Sequence, residues 1–496
     1  MALNSLFTLF SWLFPLVPLV LITPFIVRSL GTESYGIYVL TLGFVNYFFT
    51  GGIGKAAVKY VAEFQAAGRF DKVAEIISAT FITSIGLTLA GTAAFAIAAP
   101  LLVSNVLRIP PDQQAEAIVA LYLACALILT LTLNQALNFV LQGIQRFDRY
   151  FLLTNLYSGL QNAGIVVLLL SGYGMVAILS WTVVAAVVVT AFALFSVKRL
   201  LPEYKFSFSI GQESRRLVGR YALSIIAHQV FGNILLLFER AWIVRQFGPE
   251  ALTIYAIPMT LAMYIHLFAS SLVAGVFPAL NELVDDRAKL LDLYRKATKV
   301  VLALAVFGVV SVAAGRVLFL ELWLDEALAA QMSHLLLVHS ITFAILAVNT
   351  IAWLTAETFR RPGINSIGTF LWMLMAVPLM LTLSFDYQSI GVAYARLAGV
   401  MVFIPIIFYL EKRFLNGVNW RFWFRTAGML SVAGLVALGI ESFAFTLGRT
   451  WLVFLVANGA GLLTFAGALL AIGFLEQDEK EFLLGLATRR KELAIS

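Results

Sequence analysis

Two charged residues, Glu239 and Arg240, stand inside one apolar run of membrane length, and a third, Arg396, stands in another, seven residues past Ser389. Ionisable groups at membrane depth are costly, and they mark either a polar partner or a water-filled path. At 1.5 Å per residue, Arg396 lies about 10 Å into its helix. Gln229, Asn233 and Arg240 fall within about 40° of one helical face at 100° per residue, so they form a single polar stripe. A guanidinium presents paired donors that match a carboxylate or a phosphate. The stripe therefore has two readings: Arg240 closes a buried pair with Glu239, or it meets an anionic cargo. Arg396 has no acidic neighbour in sequence. Two basic groups against one acidic group suit an anionic cargo better than a cationic one.

Amides and lysines add a second layer. Asn134, Asn138 and Gln145 share one helical face, and Asn155, Gly159 and Asn162 share another. Such amides either bond helix to helix, at roughly 0.6 to 2 kcal/mol each, or meet the hydroxyls of a cargo such as a sugar. Lys55 and Lys59 stand one turn apart beside Gly51, Gly52 and Gly54. An ammonium is a compact charge suited to phosphate, and glycines let a headgroup approach the backbone. Anchoring at an inner membrane surface explains the same two lysines equally well. The four histidines are scattered without metal spacing, so no metal or cofactor is implied.

The elements that must carry these residues follow from composition. Of 496 residues, 61% are hydrophobic and 12% charged, against about 25% charged in soluble chains. A membrane helix uses about 20 residues, and fourteen apolar segments of that length run from residue 6 to residue 475. That leaves short loops and no room for a separate soluble catalytic domain. Cytosolic enzymes, disordered scaffolds and disulfide-built secreted modules are excluded, and the single Cys125 reads as a small helix-packing residue. The expected class is an all-α polytopic membrane protein.

Orientation comes from the basic residues. Of 34 lysines and arginines, 27 fall on alternate segments that include both chain ends, and five fall on the opposite face. This asymmetry places both termini in the cytoplasm, with the chain in the inner or plasma membrane. The net charge of +7 is thus a topology signature and does not point to nucleic acid. Pro15, Pro18 and Pro24 predict that the first span is bent.

An internal repeat organises the chain. Arg28, Gly31, Glu33, Ile37 and Tyr38 recur as Arg245, Gly248, Glu250, Ile254 and Tyr255, each 217 residues later and each set between the first and second span of a half. The glycines suit a turn with positive φ, and the arginines can pair with the nearby Glu33 and Glu250. These six residues form either a tied-down turn or a gate at the outer mouth. The expected organisation is a first lobe over 1–197, a cytoplasmic linker over 198–218, a second lobe over 219–410, and two further spans with a tail over 411–496. The two six-helix lobes would be related by a pseudo-twofold axis along the membrane normal, with a polar cleft between them.

Pro24 to Gly36 (PFIVRSLGTESYG) and Gly52 to Glu63 (GIGKAAVKYVAE) resemble the opening of polysaccharide transporters of the O-antigen flippase type. These belong to the multidrug, oligosaccharidyl-lipid and polysaccharide exporter superfamily. Glu239-Arg240 is similar to an Asp-Arg pair common there, and Phe277 to Leu280 (FPAL) fits as well. Thr50 departs from the pattern, standing where an acidic residue is expected. The resemblance implies the fold of the multidrug exporters and translocation of a polyprenyl-pyrophosphate-linked oligosaccharide by alternating access. It also implies membrane lipids and the polysaccharide polymerase and chain-length machinery as partners. The rival of the same fold is a multidrug antiporter driven by H⁺ or Na⁺, which needs a membrane-buried carboxylate; Glu239 and Glu441 are the acidic candidates. A sugar polymerase or ligase would need a sizeable outer loop, and every outer loop is short.

Overall fold

The computed structural model describes residues 16–48, 52–202, 211–273 and 275–476. All regular structure among them is helical. The chain runs α1 (Leu16–Phe48), α2 (Gly52–Ala66), α3 (Phe70–Leu101) with a π-helical turn over Leu102–Val106, then α4 (Pro111–Gly143), α5 (Phe147–Leu170) and α6 (Met175–Leu200). It continues through α7 (Gln212–Leu272), α8 (Val276–Glu282), α9 (Arg287–Trp323), α10 (Glu326–Thr358), α11 (Gly363–Val400), α12 (Phe403–Phe414), α13 (Trp420–Phe445) and α14 (Trp451–Ala471).

Among the described residues, ten stretches are long and apolar enough to cross a membrane. Two of them, Val230–Leu272 and Gly363–Phe414, run 43 and 52 residues, which is about twice the length that one crossing needs. Each contains a break in the helical backbone: Gly248 at φ 85°, ψ 171° and Gln388 at φ 51°, ψ −137°. At each expected boundary one helix therefore passes to the next across a single non-helical residue, a tighter connection than a loop. The first two expected spans extend into residues outside those described. Within α1 the backbone leaves helical geometry at Gly31, while Pro24 sits inside the helix. Gly31 thus marks the turn expected between the first two spans.

Polar caps fix the helix starts. Asp286, Asp325, Asn419 and Thr450 each accept a backbone N–H from the first turn of α9, α10, α13 and α14, which satisfies donors that a helix start leaves open. The Lys289 ammonium beside Asp286 holds its carboxyl below the usual carboxylate range. Large apolar side chains point outward on many helices: Ile97 is 80% exposed and Leu463 75%. Exposure of that kind over whole helices fits a surface solvated by lipid.

Two compact units divide the chain, one formed by residues 1–256 and 365–395, the other by 257–364 and 396–496. The first has a core of Val61, Ile76, Ile77, Leu137, Leu141 and Val189, contributed by α2, α3, α4 and α6. Cys125 is buried within it, its thiol 3.6 Å from the Thr92 carbonyl. The second has one core of Leu280, Tyr294, Val301, Ile351 and Leu415. A further cluster of Leu430, Ala433, Phe465 and Phe474 seats α13 and α14 on α9.

Candidate functional site

The polar residues of α7 lie in the first unit, beside α1. Glu239 is fully buried and Arg240 is 9% exposed. The Arg240 Nη1 donates to the Val39 carbonyl of α1 at 3.0 Å. Gly43 makes room for this side chain: a Cβ there would stand 2.9 Å from the Arg240 Cδ. One turn before Gly43, Tyr38 and Leu40 are buried against the same region. Two residues past Arg240, the Trp242 indole N–H donates to the Ser384 Oγ of α11 at 3.0 Å. Asn233 is half-buried on the same stripe, and the side chain of Gln229 lies outside the described residues. The backbone of α2 carries Lys55 and Lys59, whose side chains also lie outside the described residues.

The two halves of the repeat meet above this point. Gly31 has φ 77° and ψ 164°, nearly the values of Gly248. This conformation is essentially restricted to glycine, which explains why glycine recurs at that register. The Thr32 hydroxyl donates to Glu250 Oε1 at 3.2 Å, and the Thr253 hydroxyl donates to the Thr32 carbonyl. A Cβ at Gly36 would overlap the Pro249 carbonyl, so backbone meets backbone there. Arg245 does not close the expected pair with Glu250: its Nη1 donates to the Asn105 and Val106 carbonyls at 2.9 and 2.7 Å. Those carbonyls end the π-helical turn, and the last carbonyls of a helix have no partner within it. Glu33 accepts from the Gln113 amide of α4, and Arg28 is exposed.

The amide stripes are bonded along their own helices. The Asn138 Nδ2 donates to Asn134 Oδ1 at 2.8 Å, and the Asn162 Nδ2 donates to the Ser158 carbonyl at 2.7 Å. Asn138 is buried and Asn155 is exposed.

Arg396 belongs to the second unit. It is 2% exposed, with its guanidinium carbon 5.5 Å from the Phe343 ring centroid of α10, within cation–π range. Glu441, on α13 in the same unit, is fully buried and accepts from the Ser311 hydroxyl of α9 at 3.1 Å. Among the described residues, no group of histidine, cysteine and carboxylate side chains has the arrangement of a metal site.

Val39, Gly43, Gly36, Ser384 and the π-helical turn were not singled out by the sequence. Gly36 and Gly43 offered one signal, being small residues seven apart on a single helix.

An all-helical chain with these long apolar elements is a polytopic membrane protein, and its fold is that of the multidrug and lipid exporters. It is similar to the lipid II flippase MurJ in an inward closed conformation, with a TM-score of 0.76 at 13% identity, covering 94% of this chain and 98% of that one. It is also similar to an inward-facing multidrug resistance MATE family transporter of the MOP superfamily, with a TM-score of 0.67 at 18% identity over 80% of this chain and 95% of that one. A MOP superfamily transporter from Pyrococcus furiosus matches with a TM-score of 0.53 at 18% identity, over 83% and 89% of the two chains. No curated protein matches the chain. Residues 25–328 match the family described as polysaccharide biosynthesis protein, and the chain belongs to that family. The superfamily expected from the PFIVRSLGTESYG and GIGKAAVKYVAE segments is thereby borne out.

Proposed function

We propose that the protein is a flippase that moves a polyprenyl-pyrophosphate-linked oligosaccharide from the inner to the outer leaflet by alternating access. The observation that carries this reading is Arg240: a buried arginine on a polar stripe of α7, held against the α1 backbone beneath the meeting glycine turns. A fixed guanidinium at membrane depth supplies the paired donors that a pyrophosphate needs while it crosses. Arg396 supplies a buried cation suited to phosphate in the second unit, Lys55 and Lys59 supply capture at the inner surface, and the asparagines meet the sugar. Contact between the Gly31 and Gly248 turns closes the outer mouth, and their separation opens it. Membership in a polysaccharide biosynthesis family supports a glycan cargo. The polyprenyl tail remains in the bilayer, and both chain ends face the cytoplasm, where the lipid-linked sugar is assembled.

Transfer of a labelled lipid-linked oligosaccharide in proteoliposomes tests this directly. Arg240→Ala and Arg396→Ala should each slow transfer about tenfold or more at equal reconstitution, the loss expected for one charge-assisted contact to phosphate. Wild-type rates in both variants would overturn the cationic path.

A second reading, an H⁺- or Na⁺-coupled multidrug antiporter, is favoured by the fully buried carboxyls of Glu239 and Glu441. It predicts efflux of organic cations that a pH or Na⁺ gradient drives and that Glu239→Gln or Glu441→Gln stops.

A further inference from the structure

Five basic residues converge on one cavity of about 360 Å³ in the second unit, well apart in sequence from the Arg240 stripe. Arg295, Lys296 and Lys299 come from successive turns of α9, while Arg421 and Arg425 come from the first two turns of α13. Asp292 and Glu476 are the acidic residues of the lining. Asp292 is spoken for by Lys296 at 2.8 Å, and the cavity keeps a surplus of three positive charges. Arg421 and Arg425 are exposed and make no ion pair among the described residues.

Asymmetric distribution across a membrane accounts for basic residues at this end of the helices, but it does not account for their convergence. A lysine that only marks a membrane surface extends its ammonium into water. Lys299 is instead 8% exposed, with its Nζ 5.1 Å from the Phe474 ring centroid, and both residues line the cavity. The start of α13 also opens here, with Asn419, Arg421 and Phe422 in the wall, so the positive end of its dipole adds to the side-chain charge. A helix start, planar arginine forks and a buried ammonium are the elements with which proteins hold phosphate. Basic pockets between membrane helices hold lipid headgroups by the same means.

We infer that this cavity between α9 and α13 is a binding site for a phosphate group, presented by the headgroup of an anionic membrane lipid. The site is independent of the transported cargo. It fastens the α13–α14 helix pair to α9 at the membrane surface, where Phe474 and Leu430 already pack.

The test uses the full chain, purified in detergent micelles and titrated with fluorescent phosphatidylglycerol, with phosphatidylcholine as the zwitterionic comparison and inorganic phosphate as competitor. Arg421→Gln/Arg425→Gln should weaken phosphatidylglycerol binding about tenfold or more, and each single variant should give an intermediate loss. Both side chains are exposed, so the variants keep the monodisperse elution of the parent. Lys412→Gln/Arg413→Gln removes the same charge from the nearby end of α12, outside the cavity, and should bind as the parent does. Preference for phosphatidylglycerol over phosphatidylcholine assigns the phosphate to a lipid. Displacement by inorganic phosphate with no preference between the two lipids assigns it to the free anion and overturns the lipid part. Equal losses in the two double variants, no loss in Arg421→Gln/Arg425→Gln, or no binding by the parent would overturn the site.

Discussion

The turns at Gly31 and Gly248 share one backbone and differ in almost every side-chain tie. Their φ and ψ values agree within about 10°, each follows an arginine and precedes a glutamate, and yet the four charged residues have separate uses. Arg245 caps the carbonyls of Asn105 and Val106, whereas Arg28 is exposed. Glu33 accepts from Gln113 of its own half, whereas Glu250 reaches across to Thr32 of the other. The repeat has preserved what the backbone requires, since a glycine-only conformation tolerates no substitute. The side chains were free to take whatever partner each turn met.

Three substitutions separate the shared backbone from the divergent ties. Gly36→Val has the largest expected effect. Its Cβ would overlap a main-chain carbonyl at Pro249, which no rotamer change relieves, and the cost should reach about 3 kcal/mol. The thermal midpoint in detergent should fall and the two turns should separate; an unchanged midpoint would remove the close approach from the account. Next come Gly31→Ala and Gly248→Ala. Nothing lies within 4 Å of a Cβ at either site, so the cost is backbone strain alone, about 1 to 3 kcal/mol and equal for the two. Unequal losses in denaturation would show that the two turns are not equivalent in solution.

How far the sequence reached follows the same division. Gly31 and Gly248 were legible because local backbone demands leave a residue type behind. The apolar spans were legible because a bilayer demands uninterrupted runs. Burial of Arg240 was legible from its place in such a run, but its acceptor was not: Val39 lies 201 residues earlier, and a carbonyl has no residue signature. The Asn138 and Asn162 stripes were legible as polar helix faces but their acceptors were not, since an amide four residues from an acceptor can bond along its own helix as readily as across to another. Lys299 looked like one more basic anchor, and only the packing of α13 and Phe474 around it shows that it is buried. Loops were expected at two places where α7 and α11 each join two helices directly, because Gly248 and Gln388 absorb the turn in a single residue.

The smallest predicted effect is the most discriminating for the repeat. Arg245→Ala removes two charge-assisted bonds to carbonyls 139 and 140 residues away and leaves the end of the π-helical turn open. The side chain is only half-buried, so water recovers part of the loss, and about 1 to 2 kcal/mol is expected. Arg28→Ala, at the matching position of the first turn, should cost less, because that side chain is exposed and water replaces more of what it loses. The contrast is read by denaturation of the two variants side by side, with Arg245→Lys as a third. A lysine keeps the charge but presents one ammonium in place of the planar fork, so it should recover only part of the loss. Equal costs for Arg28→Ala and Arg245→Ala would mean that the arginines serve the turns as a symmetric pair, and that the tie to Asn105 and Val106 adds nothing to the second turn that the first one lacks.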